Sequence, residues 1–285
     1  MYCCHCMSSY LGQNFLTDTD ILTRIASQVK SVFLQLWCDT LIEIWPGKWA
    51  LTQKILWLTN QTLLIEYDDK MIEYLHTKIF PWLLSVPSLV NKDILVRDEA
   101  LSSDFPFGEC TDDVKQKTLV VGNLPYYITS PILRKFFAFT ELTRTGWVFL
   151  IQKEVAEKIV HDASKKSFLR WLINYAYRVE YCFSVPPSAF TPPPKVISAV
   201  IRVVPKPLDE IPSLSYSTLL IFLDQYSPFK RKTLWASHKI VSKLSKRDTE
   251  TSVVWQRQKQ FDITSYSHQR LEELGWDEMK IIIES

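Results

Sequence analysis

An amide and an aromatic ring stand close together in the stretch VVGNLPYYITSPIL, residues 120 to 133. An apolar run delivers Asn123 to the predicted carboxyl tip of a strand, where open α/β sheets bind ligands. Pro125 fixes the backbone so that the carbonyls beside it point outward, and Tyr126 offers a flat face. An amide oxygen, a rigid carbonyl and a ring suit a planar base with an exocyclic amine. The alternative is a simple turn after a strand, and we favour the chemical role.

Such a site needs no strong base. When Asn123 and a neighbouring carbonyl accept both amine hydrogens, the nitrogen lone pair leaves ring conjugation and points at an electrophile. Positioning and electrostatics therefore supply the predicted chemistry.

Two acidic residues follow other apolar runs. Glu66 ends the second predicted strand, 19 residues after Gly47. An acid at that place and spacing accepts hydrogen bonds from the ribose hydroxyls of a nucleoside, although strands also end in solvated acids. Asp93, in NKDIL, either accepts from an adenine amino group or caps its loop.

The turn EIWPGKWALT, residues 43 to 52, follows the first predicted strand. Nucleotide-binding folds place glycine in this turn, because it needs a positive φ or a close approach of the ligand to the backbone. Gly47 meets that need, whereas Trp45 and Trp49 do not. If both tryptophans are present in the cell, we expect cofactor binding to fail.

A proline-rich stretch, VPPSAFTPPPKVISAVIRV at 185 to 203, has five prolines in its first ten residues. Proline makes such a loop stiff, so Phe190 and Lys195 are presented with little conformational freedom. We predict that Phe190 stacks on a base opposite Tyr126. The alternative is a rigid surface loop with a buried Phe190.

The elements that must position these residues follow an α/β pattern. Short apolar runs predict seven strands, at 40–44, 62–66, 88–91, 118–122, 147–151, 179–184 and 196–203. Amphipathic segments predict helices at 48–57, 68–79, 130–139, 152–161 and 167–176. The expected fold is a mostly parallel, doubly wound sheet whose last two strands form an antiparallel pair at the edge.

A proline-punctuated linker at 203–214 separates this α/β part, residues 1–205, from a small helical domain, residues 206–285. Helices are predicted there at 215–226, 230–246 and 266–283. Residues 228 to 260 hold nine Lys or Arg against Asp248 and Glu250. This cluster favours a nucleic acid partner over a merely solvated helix face, and its candidate phosphate ligands are Lys230, Arg231, Lys232, Lys239, Lys243, Lys246 and Arg247.

Composition limits the class of protein. No apolar run reaches the roughly 18 residues of a membrane span and no secretory leader precedes the fold, so we expect a cytosolic protein. The net charge is +2, so an acidic partner must be held by local clusters. The run Cys3-Cys4-His5-Cys6 has metal-ligand residue types but cannot easily wrap one ion, so we expect no metal and interpret it as a tail before a start at Met7.

Seven motifs in order resemble the ribosomal RNA adenine N6-dimethyltransferase family, in its KsgA-type branch. They are LGQNFLTD (11–18), EIWPGKWALT, IEYD (65–68), GNLPYYITSPIL, IQKEVAEKI (151–159), PPSAFTPPPKVISAVIR and KRKTL (230–234). The resemblance implies a Rossmann-like class I methyltransferase that uses S-adenosylmethionine to place two methyl groups on the N6 of each of two adjacent adenosines. Their expected place is the 3′-terminal hairpin loop of 16S ribosomal RNA in the small subunit.

The resemblance also implies site residues. Cofactor positions are Asn14, Leu16, Trp45 (a glycine in the family), Gly47, Glu66, Asp93 and Asn123. Asn123 with the backbone of Leu124 and Pro125 holds the target amine, Tyr126 and Phe190 stack on the adenine, and Lys195 joins the RNA ligands. We expect a cytoplasmic monomer that acts in ribosome biogenesis. Alternatives are an Erm-type 23S ribosomal RNA methyltransferase, a mitochondrial relative without a visible leader, and a catalytically dead assembly factor.

Glycine and tryptophan are both unusual in number. About 7% glycine would give about 20 residues in this length, whereas the chain has six glycines and ten tryptophans. Trp37 and Trp57 stand where turns or helix ends favour glycine, Trp147 and Trp235 lie at glycine-tolerant places, and Trp276 could be genuine. We hypothesise that many of these codons are UGA, which some bacteria with reduced genomes read as glycine.

Overall fold

The structure is a computed structural model that describes residues 14–66, 68–85, 93–97, 117–137, 145–160, 167–245 and 261–285. The chain forms two compact units. The first comprises residues 1–157 and 179–205, and the second comprises 158–178 and 206–285. The segment 158–178 thus groups with the helical C-terminal part, although it precedes the expected boundary after residue 205. The roles expected for the two domains stay predictions.

Nine strands are described: β1 Phe15–Leu16, β2 Thr40–Ile44, β3 Gln61–Ile65, β4 Asp93–Arg97, β5 Thr118–Asn123, β6 Gly146–Gln152, β7 Tyr177–Val185, β8 Phe190–Thr191 and β9 Ser198–Pro205. Seven of them form one sheet in the order β4-β3-β2-β5-β6-β9-β7. Strands β2 to β6 pair in parallel and β9 runs antiparallel to β6. The expected seven-stranded, mostly parallel sheet is confirmed.

The last two strands are neighbours at one edge of the sheet, as expected, and β9 lies between β6 and β7. One strand differs from expectation: the structure has β4 at Asp93–Arg97, where no strand was predicted. The third predicted strand, at 88–91, lies outside the described residues. Both runs are short and apolar, so periodicity could not choose between them.

Strands β5 and β6 are buried along nearly their whole length. Such near-continuous apolar runs are typical of parallel strands covered by helices on both faces. The helices of the first unit are α1 Thr19–Leu36, α2 Thr52–Ile55, α3 Asp69–Tyr74, α4 Phe80–Leu84, α5 Thr129–Phe137 and most of α6 Lys153–Ile159. A π-helical turn, Leu75–Ile79, joins α3 to α4, so the helix predicted at 68–79 continues to residue 84.

Helix α1 is the longest described helix, and no element was predicted over its range. Asp18 caps it by accepting from the backbone N–H groups of Asp20 and Ile21 at 3.0 and 2.9 Å. Its buried face carries apolar residues at helical spacing, including Ile25, Val29 and Val32. They pack into the core against the sheet.

The second unit contains α7 Phe168–Ala176, α8 Tyr216–Tyr226, α9 Leu234–Ser245 and α10 Trp276–Glu284. Of the helix expected at 266–283, only the carboxyl half is α-helical, as α10, and two short 3-10 turns precede it. Aromatic packing organises this unit: the Trp171 and Trp276 rings lie 4.6 Å apart edge to face, and Phe222 stacks on Tyr226 at 4.7 Å. Within the described ranges, no helix is long and apolar enough to span a membrane.

Candidate active site

The site begins with strand register. Ile44, the last residue of β2, pairs with Ile65, the last residue of β3. On its other side Ile44 pairs with Gly122, the residue before the end of β5. The residue following β2 is Trp45, the residue following β3 is Glu66, and Asn123 ends β5. Because neighbouring strands lie about 4.8 Å apart, these three positions stand side by side at the carboxyl edge of the sheet.

A cavity of about 600 Å³ opens at this edge. That volume suits a small organic cofactor. Six of the expected cofactor positions line it, namely Asn14, Leu16, Trp45, Gly47, Glu66 and Asn123. The rest of the NLPY segment, Leu124, Pro125 and Tyr126, lines it as well. The structure therefore brings together most of the residues expected to act on cofactor and base.

Hydrogen bonds fix the orientation of the Asn123 amide. Its Nδ2 donates to the backbone carbonyl of Asn14 at 3.0 Å, which directs Oδ1 away as the acceptor. The N–H of Leu124 donates to the Leu150 carbonyl at 3.0 Å and anchors the same turn to β6. The amide oxygen of Asn123 is thus held in place as a fixed acceptor at the cavity wall.

The Pro125 carbonyl is engaged within the chain, contrary to expectation. It accepts from the Thr129 hydroxyl at 2.9 Å and from the Ile128 N–H at 3.2 Å, as the chain turns into α5. A carbonyl with two intrachain donors is a poor second acceptor for a substrate amine. The assignment of Pro125 as a direct amine ligand is therefore corrected, and its part is to shape the turn.

The Tyr126 side chain is tied to strand β9. Its hydroxyl lies 2.5 Å from the hydroxyl of buried Ser198 at the start of β9. Burial raises the pKa of the Tyr126 phenol, which keeps it protonated. One end of the ring is therefore fixed while the ring lines the cavity, as a stacking platform requires.

Phe190 is a core residue in this structure and not a stacking partner. It is 3% exposed, pairs with Leu16 through β8 and β1, and packs in the core beside α1. Among the described residues, the cavity wall includes Phe15 and Tyr127 but not Phe190. The expected sandwich of a base between Tyr126 and Phe190 is corrected, and the alternative of a buried phenylalanine holds.

Glu66 is buried, and its carboxylate organises the turn after β2. Oε2 accepts from the Gly47 N–H and Oε1 from the Asp68 N–H, each at 3.1 Å. A carboxylate accepts from hydroxyl donors, and Glu66 is one of the residues that line the cavity. Gly47 itself has φ 51°, and a Cβ there would stand 3.2 Å from the Phe15 ring.

Asp93 lies at the wrong edge of the sheet for the role expected of it. It begins β4, in register with Gln61 at the start of β3, whereas Glu66 follows the end of β3. Five residue steps of about 3.3 Å separate Gln61 from Glu66 along the chain. The assignment of Asp93 to the cofactor site is therefore corrected. The acid next after β4 in the sequence is Asp98, which lies outside the described residues.

Glu43 is a site residue that the sequence reasoning missed. It lies on β2, lines the cavity and is buried, and its Oε2 has no hydrogen-bond partner within the described chain. Burial raises the pKa of Glu43 to about 7, the Thr52 hydroxyl lowers it, and the nearby Glu66 charge raises it. An acid inside a strand otherwise composed of apolar residues was the signal that could have found it.

This pKa gives a testable pH dependence. Glutamate ordinarily titrates near 4.5, so between that pH and about 7 the folded state holds a proton that the unfolded state has lost. The free energy of unfolding therefore falls with rising pH across this window, by about 3 kcal/mol in total. Glu43→Gln should remove that slope and stabilise the ligand-free protein at about pH 8, measured by urea unfolding. An unchanged slope in Glu43→Gln would contradict the assignment.

The basic residues expected to bind RNA are exposed where the structure describes them. Lys195 is exposed in the first unit, in the proline-rich loop before β9. In the second unit, Arg231 and Lys232 are exposed before α9, Lys230 is half-buried, and Lys239 and Lys243 are exposed on α9. Lys239 lies over the Trp235 ring at 3.5 Å. Lys246 and Arg247 lie outside the described residues.

An adenosyl cofactor with an ammonium group needs acceptors for its cation and for its ribose hydroxyls, and a backbone that it can approach closely. The buried, unpartnered oxygen of Glu43 suits a cationic donor, and Glu66 suits ribose hydroxyls. Gly47 has no side chain, so its backbone forms part of the cavity wall. Trp45 does not fit, because it lines the cavity at a position where the backbone must approach a ligand and a side chain is a hindrance. In the part of the chain that the structure describes, no group of His, Cys, Asp or Glu could hold a metal ion, and Cys3, Cys4 and Cys6 lie outside that part.

The fold is similar to that of a dimethyladenosine transferase from Plasmodium falciparum, with a TM-score of 0.65 and 21% identity, over 95% of this chain and 96% of the other. The fold and the site together define a class I methyltransferase. The chain belongs to the ribosomal RNA adenine dimethylase family, whose match covers residues 5–263.

Two bacterial relatives are similar over much of the chain, and both are named ribosomal RNA small subunit methyltransferase A. The Bacillus mycoides protein is 36% identical over 208 residues, 70% of this chain and 66% of the relative. The Legionella pneumophila protein is 34% identical over 244 residues, 85% of this chain and 88% of the relative. The chain therefore spans just under two thirds of the first relative and most of the second.

Proposed function

We propose that this protein uses S-adenosylmethionine to dimethylate the N6 of two adjacent adenosines in the 3′-terminal hairpin loop of 16S ribosomal RNA. The observation that carries the proposal is the fixed acceptor of Asn123, held by the Asn14 carbonyl at the edge of a cavity that also contains Glu66. Family membership and the two named relatives support the reaction and the small-subunit substrate. The enzyme is proposed to act in the cytoplasm, as a monomer, during small-subunit maturation.

The chain's own contribution is positioning. Asn123 Oδ1 accepts one N6 hydrogen, and we assign the second to the carbonyl of Leu124, because the Pro125 carbonyl is engaged by Thr129 and Ile128. Two accepted hydrogens turn the nitrogen lone pair towards the cavity. Tyr126 supports the adenine face, with its hydroxyl held by Ser198.

Three acidic or amide groups are proposed to hold the cofactor. Glu66 binds the ribose hydroxyls, Glu43 binds the ammonium group, and Asn14 lines the same wall. When bound, the cofactor supplies a sulfonium methyl group as the electrophile. The acid after β4 in the sequence, Asp98, takes the adenine-binding role first assigned to Asp93.

The helical part, residues 206–285, is proposed to contact the RNA backbone. Exposed Lys239 and Lys243 lie four residues apart on α9, with Lys239 stacked over the exposed Trp235 ring. Arg231 and Lys232 precede the helix, and Lys230 is their neighbour. Phosphate contacts of this kind give affinity that falls steeply with salt.

One observation favours a second candidate function. Trp45 lines the cavity with its φ at 57°, so a chain that carries tryptophan there has an obstructed cofactor turn. Such a protein would bind RNA without catalysis, as a ribosome-assembly factor. The two candidates differ in cofactor binding and not in RNA binding.

The proposed substrate can be tested with ribosomal particles. Small-subunit and large-subunit particles that lack adenine dimethylation would be incubated with S-adenosylmethionine and the Trp45→Gly/Trp49→Gly protein, and the methylated nucleotides mapped by mass spectrometry of RNA fragments. We expect two adjacent dimethyladenosines near the 3′ end of the small-subunit RNA. Methylation of the large-subunit RNA instead would establish the Erm-type alternative. The printed chain, which carries Trp45, would be tested in parallel, and RNA binding by it without cofactor binding or methylation would establish the assembly-factor alternative.

A further inference from the structure

Left-handed backbone conformations in this protein fall on one residue type. Among the described residues, three positions other than glycine have a clearly positive φ: Trp37 at 54°, Trp45 at 57° and Trp49 at 71°. A Cβ makes this region unfavourable, and the residues that tolerate it are glycine and, less well, Asn and Asp. Tryptophan is unfavourable at one position of positive φ, so its presence at all three requires an explanation.

Trp37 shows the conflict away from the cavity. It follows α1, and its N–H donates to the Leu34 carbonyl at 3.2 Å while the next N–H, of Cys38, donates to the Phe33 carbonyl at 2.9 Å. This pair of bonds is the Schellman motif, in which the left-handed residue is usually glycine. The Trp37 side chain is 80% exposed, so little packing offsets its strained backbone.

Trp45 and Trp49 show the same conflict within one turn. With Gly47 at φ 51°, three alternate residues of the turn are left-handed. Trp45 is one of the residues that line the cavity. Trp49 is buried against the leucine cluster Leu56, Leu64, Leu75 and Leu83, and it does not belong to the described cavity wall. Three residues of this turn have the positive φ that glycine tolerates best, but only Gly47 is a glycine.

Other tryptophans are buried and packed against aromatic rings. Trp147 is fully buried in β6, with its ring 5.3 Å from that of Phe136 and 5.5 Å from that of Phe149. Trp171 is buried edge to face against Trp276. Aromatic packing of this kind stabilises a core, and none of the three is among the positive-φ residues. The interpretation of Trp147 as a glycine-tolerant position is therefore corrected.

We infer that the protein in its source organism carries glycine at positions 37, 45 and 49, encoded by UGA codons that the organism translates as glycine. Trp147 and Trp171 are encoded by UGG and are tryptophan. This inference rests on backbone geometry, composition and packing, and not on the proposed function, because Trp37 lies before the amino end of β2 and outside the described cavity wall.

The gene and the natural protein test the inference directly. We expect UGA at codons 37, 45 and 49 and UGG at codons 147 and 171. Peptides from the protein purified from its source should be lighter, at each of the three positions, by the difference between a tryptophan and a glycine residue. UGG at any of the three positions, or tryptophan in those peptides, would overturn the inference, as would UGA at 147 or 171.

A stability measurement tests the physical basis without the source organism. Trp37→Gly in the printed chain should raise the thermal midpoint by about 2–4 °C, because it relieves a left-handed residue whose side chain is exposed. Trp235→Gly is the matched control: it is 54% exposed but lies in α9, where glycine weakens a helix, so its midpoint should fall by a similar amount. A midpoint for Trp37→Gly at or below that of the parent would contradict the geometric argument.

Discussion

Asn123→Ala, in a chain that also carries Trp45→Gly and Trp49→Gly, is expected to lower the kcat for adenine methylation by about 10²–10³-fold. The alanine removes the one acceptor whose direction is fixed by the Asn14 carbonyl, so the amine lone pair is no longer aimed at the cavity. The loss should appear in kcat rather than in RNA affinity, because the basic residues are untouched. Single-turnover kinetics at saturating RNA and cofactor measure it.

Asn123→Asp is the matched control for that experiment. It keeps an oxygen acceptor of the same reach but loses the Nδ2 donor to Asn14, so its kcat should lie between those of the parent and the alanine variant. Thermal midpoints of all three proteins report whether the anchor at Asn14 also carries stability. A full kcat in Asn123→Ala would refute the role of the amide in aligning the amine.

Trp45→Gly is expected to tighten S-adenosylmethionine binding by about 100-fold, equivalent to roughly 3 kcal/mol. Trp45 lines the cavity in a turn where the backbone must approach the ligand, and we expect removal of its side chain to open that wall. Titration calorimetry of the printed chain and the variant measures the change.

Trp49→Gly alone is the control for that comparison. Its indole packs among leucines and is not part of the described cavity wall, so removal should change the affinity much less than removal of Trp45. The double variant should bind about as tightly as Trp45→Gly. If the printed chain binds as tightly as either glycine variant at position 45, the steric argument is wrong.

Much of the sheet could be predicted because its parallel strands are short apolar runs bounded by polar residues. The ends of β2, β3 and β5 were predicted within one residue, and this placed Glu66 and Asn123 at one edge. Periodicity did not predict the strand at 93–97, and therefore Asp93 was expected after a strand, whereas it is the first residue of β4.

The burial of Phe190 could not be predicted from its neighbours. It depends on pairing between β8 and β1, which lie more than 170 residues apart in sequence. The prolines predict a stiff loop but contain no information on the direction in which the Phe190 ring points. Similarly, the engagement of the Pro125 carbonyl depends on the Thr129 hydroxyl one helical turn further on.

Glu43 and the three left-handed tryptophans belong to a third kind of position, at which local preference conflicts with the fold. A buried acid in a strand and an indole in a left-handed turn are both unfavourable unless a ligand or another residue type accounts for them. The glycine deficit was visible in the composition, but only the backbone angles distinguish Trp37, Trp45 and Trp49 from Trp147.

Nucleoside mass spectrometry of small-subunit RNA, after reaction with the Trp45→Gly/Trp49→Gly protein and methyl-labelled S-adenosylmethionine, tests the central claim most directly. The account predicts labelled N6,N6-dimethyladenosine, two residues per RNA, and its loss in the same protein carrying Asn123→Ala. Cofactor and RNA binding without labelled adenosine, or label on any atom other than adenine N6, would contradict it.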